Sequence, residues 1–225
     1  MTIEKSIGWV KKTINPIGGL CPEKYRCSYC YVPSFYKRFG WKTEPHLKLE
    51  VFEKARRRRK PTRYFLCSTH DLFGDWVPRH WIVQILDDIR KLSRHTFLIL
   101  TKYPKRTLDF PRISETLDTI PDNCWLGITI TSRKDLGRFW PLFFYRPPTK
   151  FISFEPLLGD IGDIHEDVLH GVSWIIIGAL TLPGGHTRQP QKEWVESLLR
   201  QADQYKVPVF MKPNLKWENK RQELP

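Results

Sequence analysis

The sequence predicts an α/β fold, a partial (β/α) barrel of six to seven parallel strands, and three observations predict it. Short apolar runs recur along the chain, from Arg63 onward they start 23 to 33 residues apart, and most end in polar or reactive residues. Continuous rather than alternating apolar character marks strands buried on both faces, the condition met in parallel sheets. That start-to-start spacing fits one strand, one helix and short loops. A doubly wound open sheet shares these features. At 225 residues the chain is shorter than the roughly 250 typical of eight units, which favours an incomplete barrel.

The elements follow in order. A first strand covers Lys12 to Ile17 and leads into Gly18-Gly19 and a cysteine-bearing loop, 18–31. Further strands are expected at Arg63 to Ser68, Thr96 to Thr101, Cys124 to Ile130, Phe151 to Glu155, Trp174 to Gly178 and Val207 to Lys212. Trp81, Ile82, Ile85, Ile89 and Leu92 form a helical stripe beginning after Pro78. Trp194, Val195, Leu198 and Leu199 form another after Pro190, and Leu49 to Arg59 and Asp135 to Phe144 are weaker helical segments. With no repeat, low-complexity tract or Gly/Ser linker, residues 1–225 read as a single domain.

Polar residues close the runs: Asn15, then Ser68, Thr69, His70 and Asp71, then Thr101 and Lys102, Thr129 to Ser132, Glu155 and Lys212. In parallel β/α folds the loops leaving the C-terminal strand ends build the site, so these groups are expected at one mouth. A carboxylate such as Glu155 also serves structurally there, paired with Lys102 or Arg188. Cys67 and Cys124 lie inside apolar runs and read as buried core thiols.

Composition narrows the class. Apolar content of 40% and aromatic content of 13% argue against wholesale disorder. No secretory h-region follows Met1, and no apolar run approaches the roughly 18 residues of a membrane span, so a cytoplasmic protein without a membrane partner is expected. The five cysteines are odd in number and three crowd into ten residues, a pattern of ligands in a reducing compartment and not of a disulfide framework.

Formal charge is +13, and residues 1–60 hold 15 Lys and Arg against 5 Asp and Glu. The densest stretch is the basic segment 54–63, whose Arg56, Arg57, Arg58, Arg59, Lys60 and Arg63 are the expected nucleic-acid contacts. A concentrated positive field attracts phosphate backbones; a solvated helix face has the same composition. Nine tryptophans add aromatic faces on which exposed bases can stack.

Cys21, Cys27 and Cys30 read C-x₅-C-x₂-C directly after the first strand. Three thiolates in one loop grip three positions on a tetrahedral ion or three corners of a cubane cluster, and soft ligands select zinc or iron–sulfur chemistry. A structural zinc site is closed by a fourth Cys or His. None stands at short spacing; His46 lies sixteen residues beyond Cys30. There is no phosphate-loop, dinucleotide-fold or H-E-x-x-H motif.

On these residues the chain resembles the radical S-adenosylmethionine (radical SAM) superfamily, in which a cysteine loop follows the first strand of a partial barrel and an aromatic, here Tyr29, precedes the last cysteine. The first gap is two residues longer than the superfamily's usual C-x₃-C-x₂-C. Closer still, the chain resembles a radical SAM-like family often carried by phages and mobile elements (DUF5131-like). That likeness rests on stretches from end to end, among them Ile14 to Cys21, Ser68 to Phe73, Leu100 to Pro104, Trp125 to Thr129, Ser153 to Gly159 and Phe210 to Lys212.

The resemblance implies a 4Fe-4S cluster on Cys21, Cys27 and Cys30, with S-adenosylmethionine at the open iron, cleaved reductively to a 5′-deoxyadenosyl radical. The implied substrate is nucleic acid or a nucleotide, modified or repaired, and the implied electron donor is of flavodoxin or ferredoxin type. The superfamily's Gly-Gly-Glu motif after the second strand is absent. Ser68, Thr69 and Asp71 stand in its place as expected cofactor contacts, joined by Thr129 and Thr131 for ribose hydroxyls, and by Glu155 and Gly178. The competing class is a non-catalytic zinc- or cluster-stabilised nucleic-acid-binding module.

Overall fold

The computed structural model describes residues 7–10, 12–110, 120–144 and 149–225. Seven of its strands form one parallel sheet: β1 (Lys12–Ile14), β2 (Arg63–Leu66), β3 (Thr96–Thr101), β4 (Cys124–Thr129), β5 (Thr149–Phe154), β6 (Trp174–Ile177) and β7 (Val209–Met211). Their order in the sheet equals their order in the chain. A doubly wound sheet reverses strand order at a switch point; this one has no reversal. The sheet curls into a half-barrel, with helices α1 (Val32–Phe39), α2 (Glu53–Arg56), α3 (Arg79–Lys91), α4 (Phe139–Phe144), α5 (Glu166–Gly171) and α6 (Lys192–Gln204) between strands.

Strand alternation explains why the runs are apolar on both faces. Leu66, Ile99, Leu126, Ile128, Ile152, Ile175, Ile177 and Met211 point outward, into a core shared with Ile82, Ile85, Leu86 and Ile89 of α3 and Val195, Leu198 and Ala202 of α6. Phe65, Leu98, Leu100, Trp125, Phe151, Trp174, Ile176 and Phe210 point into the concave face, which Ile7, Trp9 and Val10 fill. Burying each such side chain contributes about 1.5–3 kcal/mol, so neither face is dispensable.

One edge of the sheet is covered. The backbone N–H of Met211 donates to the carbonyl of Arg221 at 2.7 Å, and that of Val209 to Glu223 Oε2 at 2.7 Å, laying the C-terminal tail along β7. Among the described residues no helix is long and apolar enough to cross a membrane.

The two strong helices stand where their apolar stripes predict. The two weaker segments are broken: 49–59 is a 3₁₀ turn, Leu49–Phe52, followed by the single turn of α2, and 135–144 is Arg133–Arg138 in 3₁₀ form followed by α4. Helices α1 and α5 are additions to the sequence expectation.

Candidate functional site

The loops at the C-terminal ends of β1 to β7 enclose a cavity of about 200 Å³. Its walls include Cys21, Cys27 and Cys30, the β2 exit Cys67 to Asp71, Lys102, Thr129, Glu155 and Lys212, with Tyr25, Trp76 and Tyr103 among the aromatic residues. A second hollow of about 420 Å³, between α6 and Leu215 to Asn219, holds none of the cysteines.

The cysteine loop is held at both ends. Gly19, with φ +89°, takes the left-handed conformation, and a Cβ there would lie 2.3 Å from the Glu44 carbonyl oxygen, so only glycine fits. Its N–H donates to the Tyr36 hydroxyl of α1 at 2.9 Å. Inside the loop, Arg26 Nη2 donates to the Cys21 carbonyl at 3.1 Å, and the Cys30 N–H to the Cys27 carbonyl at 3.0 Å. All three thiols are free and half-buried, whereas Cys67 and Cys124 are buried. Burial pushes the Cys21 thiol up to about 11 and raises Cys30 as well.

The expected cofactor contacts divide into two groups. Ser68, Thr69, Thr129 and Glu155 line the cavity, as does Asp71, whose carboxylate is already occupied by protein donors. Ser68 Oγ donates to Asn15 Oδ1 at 3.1 Å across the β1 and β2 exits. Thr129 Oγ1 is buried with no hydrogen-bond partner among the described residues. Glu155 pairs with Lys212, and not with Lys102 or Arg188, and Gly178 lies so close that a Cβ would meet Glu155 Cγ at 3.0 Å and Lys212 Cδ at 3.1 Å.

Asp71 and Thr131 are otherwise engaged. The buried Asp71 carboxylate accepts from Thr101 Oγ1 at 2.7 Å, the Lys102 N–H at 2.8 Å and the Phe73 N–H at 3.2 Å, which ties the β2 exit to the β3 exit. Thr131 donates from its N–H and its hydroxyl to Asp135 Oδ2, at 2.9 and 2.7 Å, and stands outside the cavity wall.

Sequence reasoning placed His70 at the mouth, where it stands, but gave it no role. It is buried, its Nε2 accepts from Trp76 Nε1 at 2.8 Å, and burial lowers its pKa to about 4. Trp76 stacks on Tyr25 with centroids 4.8 Å apart, and Tyr103 meets both rings edge-on, forming an aromatic rim.

The basic segment lies elsewhere. Arg63 opens β2 and places its guanidinium 5.9 Å from the Trp125 ring, at the N-terminal end of the sheet. Arg56 pairs with Glu53 and Asp88, and Arg58 Nε donates to Thr62 Oγ1 at 2.8 Å, while Arg57, Arg59 and Lys60 are exposed. The run therefore opens on the rim opposite the cysteine loop.

A family model described as "Protein of unknown function (DUF5131)" matches residues 4–224. The chain belongs to this family. Neither the curated proteins nor the solved structures contain a match to it. In this DUF5131 chain, no three His, Cys, Asp or Glu side chains among the described residues converge on a single-ion site. Thiolates sharing one tetrahedral ion stand about 3.8 Å apart, since each bond is about 2.3 Å. A cubane places a separate iron under each thiolate and tolerates a wider spread. The donor set here is three half-buried thiols on the wall of one cavity, with an unpartnered hydroxyl, a carboxylate and two ammonium groups on the remaining wall. In donor type, soft thiols beside polar and charged groups, this wall matches what a cluster with an attached polar cofactor requires.

Proposed function

We propose that this protein is an iron–sulfur enzyme of the radical SAM type acting on nucleic acid or a nucleotide. The observation that carries this reading is the opening of Cys21, Cys27 and Cys30 into the same mouth cavity as Thr129, Glu155 and Lys212. When bound, a reduced 4Fe-4S cluster supplies one electron to the sulfonium of S-adenosylmethionine.

The chain's own residues do the rest. Cys21, Cys27 and Cys30 would hold the cluster as thiolates; burial disfavours the free anions of Cys21 and Cys30, so metal binding must displace their protons. Thr129 presents a hydroxyl that gains a partner only when a polar ligand enters, which suits a ribose oxygen. Ser68 and Thr69 offer further hydroxyls at the β2 exit. Glu155, fixed by Lys212 and closed against Gly178, orients the far end of the ligand. Asp71 is a positioning residue that holds Lys102 beside the thiols. The rim of Tyr25, Trp76 and Tyr103 limits water entry, which strengthens every charge interaction inside. A net charge of +13 supports a polyanionic substrate, and a small flavodoxin- or ferredoxin-type protein is the matching electron donor.

The test is anaerobic reconstitution with iron and sulfide, followed by reduction and addition of S-adenosylmethionine. Wild-type protein is expected to bind about four irons and release 5′-deoxyadenosine, and Cys30→Ala to do neither. One zinc per chain with no cleavage product would replace the enzyme with a zinc-stabilised nucleic-acid-binding module.

A further inference from the structure

The stretch from Arg26 to Thr43 contains four basic residues, Arg26, Lys37, Arg38 and Lys42, and no acid. Its far end is unusual. Phe39 and Trp41 stack on each other with centroids 5.0 Å apart and planes 24° from parallel, yet remain 54% and 46% exposed. Tyr36, buried beneath, meets Trp41 edge-on at 5.3 Å, and Arg38 lies 5.4 Å from the Phe39 centroid. Lys37, Arg38 and Lys42 are exposed, and none of them forms an ion pair with a described residue. Two half-exposed stacked rings beside three cations that have no ion pair among the described residues form neither a core nor an ordinary solvated face.

We propose that Phe39 and Trp41, with Lys37, Arg38 and Lys42, form a docking platform for a single-stranded polynucleotide. Ring faces stack on bases whatever their identity, while the cations meet phosphates. A duplex does not suit the rings, because its paired bases keep their faces covered. The basic segment 54–63 has the charge but no exposed large apolar side chain, so it can hold a backbone without holding bases.

The platform is rigidly related to the site. Helix α1 starts two residues after Cys30, and its eight residues span about 12 Å, the length of three to four stacked nucleotides. Trp41 is tied back to α1 by its N–H on the Tyr36 carbonyl at 3.1 Å, and Thr43 accepts from the Leu20 N–H at 2.7 Å. A strand docked on the rings therefore runs along α1 towards Tyr31 and the cavity mouth. That direction of travel rests on the functional reading above; the docking itself does not.

Fluorescence anisotropy with a labelled oligothymidylate of about twelve nucleotides tests the platform, on full-length protein carrying neither cluster nor S-adenosylmethionine. Single strand is expected to bind at least tenfold tighter than a duplex of the same length. Trp41→Ala and Phe39→Ala should each weaken binding about tenfold, and Trp41→Phe should retain most of it. Changing Lys37, Arg38 and Lys42 to Gln should lower the salt slope by about 0.7 for each phosphate that is no longer neutralised. Arg57→Gln with Arg59→Gln, at the other rim, should leave the preference for single strand intact. Unchanged affinity in the folded Trp41→Ala and Phe39→Ala proteins, confirmed by circular dichroism, overturns the proposal, as does equal affinity for duplex. Absence of 5′-deoxyadenosine in the separate cleavage assay would remove the enzyme reading and leave the platform standing.

Discussion

His70 has a clear signature at the scale of one residue. The unfolded imidazole takes a proton near pH 6.5, and the folded one, buried under Trp76, only near pH 4. As pH falls, the unfolded chain binds the proton first, so stability attributable to His70 is whole above about 6.5 and is lost progressively down to about 4. Between pH 7.5 and 4.5 the loss should be about 2–3 kcal/mol. His70→Gln keeps an acceptor for Trp76 Nε1 and cannot titrate, so urea denaturation at the two pH values should show a smaller drop for the variant. Equal drops would mean that His70 is charged in the fold. The sequence placed this histidine at a strand exit but showed neither its burial nor its indole partner six residues away, which are products of the turn from His70 to Val77.

Elements meet at the strand exits, and there the Glu155–Lys212 pair joins β5 to β7 across β6. The Glu155 side chain is 23% exposed and that of Lys212 only 8%. Removing one partner of a buried pair strands the other, and the cost grows with how little water can reach the survivor. Glu155→Gln, which strands the ammonium, should therefore destabilise by about 2–3 kcal/mol, and Lys212→Gln by less, in chemical denaturation. The reverse order would show that water reaches Lys212. At this scale the sequence was most legible for strands, since a run such as Thr96 to Thr101 is apolar on both faces and its bounds are those observed. Sequence reasoning missed α1, although Val32, Phe35, Tyr36 and Phe39 stand at i, i+3, i+4 and i+7, because the helix is only eight residues long and follows directly on the cysteine loop. There the bond from the Gly19 N–H to the Tyr36 hydroxyl helps to hold it. The mouth was legible as a set of polar exits. Two limits remained: which hydroxyl is left unpartnered depends on side-chain rotamers, and which rim carries the basic segment depends on strand direction.

A half-barrel leaves its concave face without the strands that would complete a closed barrel, and the whole molecule depends on how that face is filled. Here the chain's own beginning does it. Trp9, 4% exposed, meets Phe65 at 4.8 Å, Trp174 at 5.8 Å and Phe151 at 6.1 Å, and with Ile7 it also lines the mouth cavity. Its indole N–H finds no acceptor among the described residues, so the ring is held for its volume and not for its polarity. Trp9→Ala should then cost about 3–5 kcal/mol through the cavity it opens. Trp9→Phe fills most of the space and drops an unsatisfied donor, so it should cost less than about 1.5 kcal/mol. Urea midpoints at constant slope separate the two. If alanine were tolerated as well as phenylalanine, the N-terminal segment would not be the filler of the half-barrel, and the mouth cavity would need another wall. If alanine is costly and phenylalanine is not, the same segment that completes the core also sets the depth of the site above it.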